Sequence, residues 1–243
     1  TPYNIGSTPG KTIQIPKYPS IAAAALTEGT DMSSTTVSTS SVTVTIAEVG
    51  AQVLLTDLAR DGHGNPAVEL GTVLGSAIAK KMDQDLLALF DGFSTSLGSA
   101  GTEITVADIF KAVAILQNNN APGSMAAVIH PYTAYQLKAN LTNTFANPNG
   151  GDAQNEAMRS SFVGSLGGVD IYQSSNLTVD GNDDVKGAVF SREALAIALK
   201  RDFQIETQRD ASLRATELNA TAVYGVGELD DTYGVELFFD AAV

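Results

Sequence analysis

Cysteine and tryptophan are missing from these 243 residues, and histidine occurs only twice. The absence of cysteine excludes disulfides and every thiolate metal site, and leaves the compartment open. Basic residues are scarce: 14 Lys and Arg face 27 Asp and Glu, for a net charge of -13. Such a chain repels phosphate backbones, which argues against sequence-independent nucleic-acid binding by its bulk surface. The imbalance is greatest from Asp202 to Val243, where nine acids stand against Arg209 and Arg214, as on a solvated face. No apolar run approaches the roughly 18 residues of a membrane helix. No basic stretch precedes an apolar core, so no signal peptide is visible. The first residue is Thr1 rather than Met, so a preceding segment is expected to have been cut off or left out.

Apolar residues make up 44% of the chain, a globular value. At this size roughly 70% of the unfolded surface can be buried, so a core needs no outside help. One segment stands apart. In "SIAAAALTEGTDMSSTTVSTSS", Ser20 to Ser41, fifteen of 22 residues are Ser, Thr or Ala. Two stretches with strand periodicity flank it. Ile13 and Ile15 alternate with Thr12 and Gln14; Val42, Val44 and Ile46 alternate with Thr43, Thr45 and Ala47. Connections in compact domains usually run about 2–6 residues, and a lone hairpin is marginal in water. A long arm with so little core of its own is therefore expected to lie against a neighbouring copy.

Beyond the arm, Val53 to Arg60 reads as a short helix. Asn65 and Pro66 then form a helix start signal. Leu70, Leu74, Ile78, Met82, Leu86 and Phe90 recur every four residues, which predicts one long helix over 65–93. Gly71 and Gly75 on it imply close approach of another backbone. Thr105 and Asp108 have the spacing of an N-cap and its N3 partner, opening a second helix. A buried strand, Ala126 to Ile129, leads into a helix opened by Pro131, with Ala134, Leu137 and Leu141 inward. Residues 142–160 read as an exposed loop. The remainder is mostly strands around an Asp230-Asp231 turn. The pattern is α+β.

No stretch of the sequence carries a specific catalytic or ligand-binding motif. Either His63 or His130 could serve a Ser-His-Asp triad, but no G-x-S-x-G elbow accompanies them. Asp180, Asn182 and Asp184 have calcium-loop spacing, yet Val185 replaces the needed Gly and Ser191 the final Glu, which leaves an acidic surface turn. "GVGELD" lacks the third glycine of a dinucleotide fingerprint and sits between strands. Adjacent Asp230 and Asp231 point apart in a hairpin turn. No catalytic residue, cofactor or metal is predicted.

The order of elements resembles the major capsid proteins of tailed bacteriophages, the Hong Kong 97-type fold. The likeness runs through "LTEGTD", "VTVTIAEVGAQVLLTDLARD", "ELGTVLGSAIAKKMDQDLLALF", "VIHPYTAYQL", "FVGSLGGVDIYQSSNL" and "AVFSREALAIALKRDFQIETQRD", and on into "ATAVYGVGELDDTYGVELF". It implies that residues 1–10 are a remnant of an N-terminal arm and 11–50 an extended β-hairpin loop. Residues 51–99 would be a peripheral domain with a spine helix at 65–93, 100–185 an axial domain, and 186–243 the axial return and peripheral strands. The protein would then be a non-enzymatic virion component, assembled in the host cytoplasm into hexamers and pentamers of an icosahedral head. It would enclose double-stranded DNA without specific binding and contact no membrane. Portal, scaffolding and decoration proteins are further partners the resemblance implies. Inter-subunit contact is expected at Ile13, Ile15, Lys17, Tyr18, Leu26, Val42, Val44 and Ile46. Some relatives cross-link a loop Lys to a neighbour's Asn, but no motif matches at Lys11, Lys17 or Asn219, so that chemistry is not carried over. An encapsulin-type nanocompartment shell shares the fold. A metal- or carboxylate-dependent hydrolase and a β-rich surface adhesin are the alternatives of other classes.

Overall fold

The computed structural model describes residues 1–6, 9–19, 21, 23, 25–29, 31, 34, 36–63, 66–145 and 165–242. In chain order the first elements are β1 (Pro2–Asn4), β2 (Thr12–Lys17), β3 (Ser40–Thr45), β4 (Ala47–Thr56), α1 (Asp57–His63) and α2 (Ala67–Leu87). Then come β5 (Ser96–Gly98), α3 (Val106–Asn118), β6 (Met125–Ile129) and α4 (Pro131–Phe145). The last part is mostly strand: β7 (Ser165–Leu166), β8 (Val169–Gln173), β9 (Asp184–Ser191), β10 (Leu195–Asp210), β11 (Ala215–Glu228) and, after a 3-10 turn at Asp231–Tyr233, β12 (Gly234–Asp240).

These strands form two sheets and a separate hairpin. The four-stranded sheet has the order β1-β10-β11-β4, and the six-stranded sheet the order β5-β12-β9-β6-β8-β7. In the first, every second residue of β11 turns toward α2. Leu218, Ala220, Ala222 and Tyr224 pack there against Leu74 and Ile78, with Leu70 and Met82 beside them. That is the four-residue spacing of the sequence meeting the two-residue spacing of a strand. The Tyr224 hydroxyl donates to Asp85 at 2.8 Å, and burial, then that carboxylate, pushes its pKa up. The six-stranded sheet is covered on both faces. Ile109, Ala112, Val113 and Leu116 of α3, with Ala134 and Leu137 of α4, close one face. Leu87, Phe90 and Phe93 close the other, over Ala188, Phe190 and Val128. Gly167 and Gly168, with φ of 61° and 84°, make the tight turn between β7 and β8 that side-chain-bearing residues resist.

Several expectations are corrected. Val53 to Thr56 ends β4 instead of opening a helix, because Val53 pairs with Leu218 and Leu55 with Thr216 of β11. The helix is α1, Asp57–His63. The long helix stops at Leu87 and tightens into a 3-10 turn over Ala88–Gly92. The tightening brings Phe90 and Phe93, three residues apart, into one core with ring centroids 6.2 Å from each other. Its start is shifted too: Pro66 is the N-cap, and Asn65 lies outside the described residues. The region expected as a loop from 142 begins as helix, since α4 runs to Phe145; residues 146–164 lie outside the described residues. Asp184 is not a surface acid. It is buried and accepts from the Gly101 N–H at 2.7 Å. The helix at Thr105 opens as read, with the Asp108 carboxylate accepting from the Thr105 N–H at 3.0 Å and from its hydroxyl at 2.7 Å.

Gly71 and Gly75 do not admit a backbone. A Cβ at Gly75 would lie 3.6 Å from Phe203 Cζ, and one at Gly71 3.7 Å from Ile205 Cδ1, both ordinary side-chain contacts. Alanine fits at each, so Gly75→Ala should stabilise the chain by about 1 kcal/mol through helix propensity; denaturant unfolding of the unassembled protein measures this. At the far end of this sheet Arg209 grips Asp57 with two hydrogen bonds of 2.7 Å. The Arg209 hydrogen bonds hold the Asp57 pKa below its ordinary value. A carboxylate depressed in the folded state adds stability above the ordinary carboxylate range and loses it as pH falls through the folded pKa. Arg209→Met should therefore flatten the acid limb of the stability-versus-pH curve.

Candidate assembly interface

The hairpin β2–β3 places Ile13 opposite Val44, Ile15 opposite Val42 and Lys17 opposite Ser40, so all six share one face. That face lies on the chain's own four-stranded sheet. Ile15 and Val44 are buried with Ala196 and Ala198 of β10, and Ile13 packs at the margin. The partner surface is stripped of side chains. A Cβ at Gly227 would come within 2.7 Å of Val44 Cγ2, and one at Gly225 would strike the Thr45 carbonyl oxygen. The "GVG" of β11, unproductive as a nucleotide fingerprint, is thus the seat of Val44. A strand glycine that marks close approach was the available sequence signal.

The expected contact residues divide between the chain's own core and its surface. Ile15, Val44 and Ile46 are buried within their own chain, because the small residues of β10 and β11 leave room for them. Lys17 pairs internally too, its Nζ 2.6 Å from Asp230. Ile13 and Val42 are half-buried. What remains outward is the tip. Tyr18 is 69% exposed and Leu26 66%, and with them stand Ile21 at 61% and Val37 at 41%. Ile21 and Val37 were missed by sequence reasoning, although any large apolar residue in a Ser/Thr/Ala arm carries the same signal. Among the described residues of 18–39 there is no strand or helix, and every one is exposed. From Tyr18 to Ala59 the sequence has no Lys or Arg, and Glu28 and Asp31 make the tip acidic.

The other sequence candidates do not assemble into a reactive site. The His130 ring is buried, its Nδ1 accepts from the Tyr132 N–H at 3.3 Å, and burial holds its pKa below the usual value. The side chain of His63 lies outside the described residues. Asp230 and Asp231 do serve different partners: Asp230 takes Lys17 and Thr232, and Asp231 takes the Ser94 N–H at 2.6 Å. Asp180 accepts from the Asn182 and Asp184 N–H groups at 2.8 and 2.9 Å, a turn closed on backbone donors. Among the described residues no group of three or more His, Asp or Glu could hold a metal ion. No helix among them is long and apolar enough to cross a membrane. A cavity of about 230 Å³ between α2 and the six-stranded sheet is lined by Leu87, Asp91, Asp184, Lys186 and Phe238, and His130 is not among its lining residues.

An α+β chain with two sheets, a long helix and a projecting hairpin whose tip carries exposed apolar side chains has the build of a shell subunit. The family model for phage capsid protein matches residues 21–236, and the chain belongs to that family. The major capsid protein of Staphylococcus phage phiMR11 is 25% identical over 234 residues, which span 94% of this chain and 81% of that protein. The capsid of Ralstonia phage GP4 superposes with a TM-score of 0.77 at 11% identity, covering 99% of this chain and 87% of that one. An encapsulin complex from Synechococcus elongatus PCC 7942 matches with a TM-score of 0.66 at 12% identity, over 85% and 79% of the two chains. The fold is of the Hong Kong 97 type, and the protein is a structural component of a viral capsid.

Restoring volume tests the glycine seat. Gly227→Ala should weaken docking of the hairpin by about 1–3 kcal/mol through overpacking, and Val44→Ala in the same chain should recover most of the loss. Hydrogen exchange of the β2 and β3 amides reads both effects.

Proposed function

We propose that this chain is a major capsid protein that closes into an icosahedral head of hexamers and pentamers around double-stranded DNA. In this reading α2 is the spine helix, and the four-stranded sheet belongs to a peripheral domain. The six-stranded sheet, with α3 and α4, is the core of an axial domain around each capsomer centre, and the hairpin is the extended loop. The observation that carries it is the hairpin tip: Tyr18, Ile21, Leu26 and Val37 stand in solvent with no core of their own. Burying each against a neighbouring copy is worth about 1.5–3 kcal/mol before the cost of ordering the arm. The contact passes head to tail from copy to copy, and such heterologous contacts close into rings. The negative charge suits a wall that must not adhere to packaged DNA. The DNA is enclosed without specific binding, assembly takes place in the host cytoplasm, and portal, scaffolding and decoration proteins complete the head.

The likeness to an encapsulin favours a second reading, a nanocompartment shell built on the same contacts. Contents separate the two: DNA in one, protein cargo in the other. Electron microscopy of the purified protein should show closed shells tens of nanometres across, and a uniform population of compact monomers at high concentration would sink both. Tyr18→Ser with Leu26→Ser should abolish shell formation while leaving the circular dichroism and unfolding midpoint of the free subunit unchanged.

A further inference from the structure

The turn between β11 and β12 joins the two sheets, and three successive residues of it reach three different elements. One Asp230 carboxylate oxygen accepts from the Thr232 N–H at 3.1 Å and hydroxyl at 2.7 Å, which shapes the turn. Its other oxygen holds the Lys17 ammonium at 2.6 Å. Asp231 accepts from the backbone N–H and hydroxyl of Ser94, just beyond the 3-10 turn that follows α2. The Thr232 carbonyl accepts from Asn119 Nδ2 at 2.9 Å, at the end of α3. The residue before them, Leu229, packs beside Ile15 and Val44 under the hairpin, and its N–H donates to the Ala194 carbonyl at 2.7 Å.

Lys17 is the last residue of β2 and the last on its inward face; Tyr18, which follows it, is already in solvent. From the Val44–Ile13 pair at the glycine seat to the Lys17–Ser40 pair is four residues. At about 3.3 Å per residue the two anchors are roughly 13 Å apart. A rod held at one point pivots, whereas a rod held at two separated points has a direction. Side-chain exposure is 43% for Lys17 and 11% for Asp230, so the pair is half-sheltered and salt screens it less than a fully exposed one.

We propose that Lys17 and Asp230 are the positioning pair that sets the angle at which the arm leaves the subunit, and that the Asp230–Tyr233 turn ties this angle to the setting of the two sheets. The partner is a second copy of this chain, whose surface the arm meets at a fixed inclination, and a uniform inclination gives a shell of one curvature. The inference rests on the reading of the arm as the inter-subunit contact. Its own content is that direction, in addition to tip chemistry, is encoded.

The test uses the full chain in two measurements. Hydrogen exchange on free subunits should show about twofold to fivefold faster exchange of the β2 and β3 amides in Lys17→Met and in Asp230→Asn. Amides of β9 and β12 should be unchanged, and Lys17→Arg should stay close to the parent. The double variant should be no worse than either single one, as for a coupled pair. Micrographs of assembled Lys17→Met should show a broadened or multimodal particle diameter where the parent shows one. Unchanged hairpin exchange in Lys17→Met overturns the proposal, as does faster exchange with the parent's diameter distribution intact. If the parent chain forms no shells, the capsid reading fails instead, and the exchange result alone then decides whether the pair anchors the arm.

Discussion

The close seating of Val44 on the bare backbone of β11 is the contact from which the subunit's shape follows. Because Gly225 and Gly227 present no side chains, the hairpin lies directly on β10 and β11 and buries Ile15 between Ala196 and Ala198. Any side chain at those positions would hold the hairpin off and expose both of its faces. A two-stranded ribbon has no stability to spare for that. With the base seated, the strands are held by their own subunit. The division matches the side chains: apolar and inward as far as Ile15, ion-paired at Lys17, then Tyr18 and Leu26 outward.

β11 is also where the other parts of the molecule meet. It pairs with β10 on one side and β4 on the other, carries the face that receives α2, and ends in the turn that starts β12 in the second sheet. The carboxylates around that turn are arranged by partner. Asp230 is shifted up by burial but more strongly down by Lys17 and Thr232, so it stays below the ordinary carboxylate value. Glu228 is raised, first by burial and then by the charges of Asp231 and Asp230. Acid therefore acts on the two in opposite senses: it removes the stability that Asp230 contributes and relieves the strain of an ionised Glu228.

Among the described residues, the acidic side chains are used within the chain itself. Asp57, Asp108, Asp180, Asp184 and Asp231 each accept hydrogen bonds from groups of the chain itself. They close turns, caps and strand ends, which is how an acidic chain keeps fixed geometry at its loops. Rigid connections fix the surfaces the subunit presents, and a net charge of -13 makes separate copies repel one another.

Periodicity alone was enough for the α+β class, the hairpin strands, the face of α2 that carries Leu74 and Ile78, the capped start of α3 and the β6–α4 junction. These depend on neighbours within a few residues. The resemblance, carried by the order of those elements, led to the capsid family. The sequence also marked the arm as poor in core residues, which holds for its tip. Only the tertiary structure decided that Val53 to Thr56 is strand, since the partner that makes it so, β11, is more than 150 residues away. Only it revealed that Gly225 and Gly227 hold Val44, that Lys17 faces Asp230, and that Ile15 and Ile46 are spent inside the subunit. A glycine pair or a lysine has no readable purpose until the fold brings up what it meets, because local pattern encodes how a segment is built and not what it will touch.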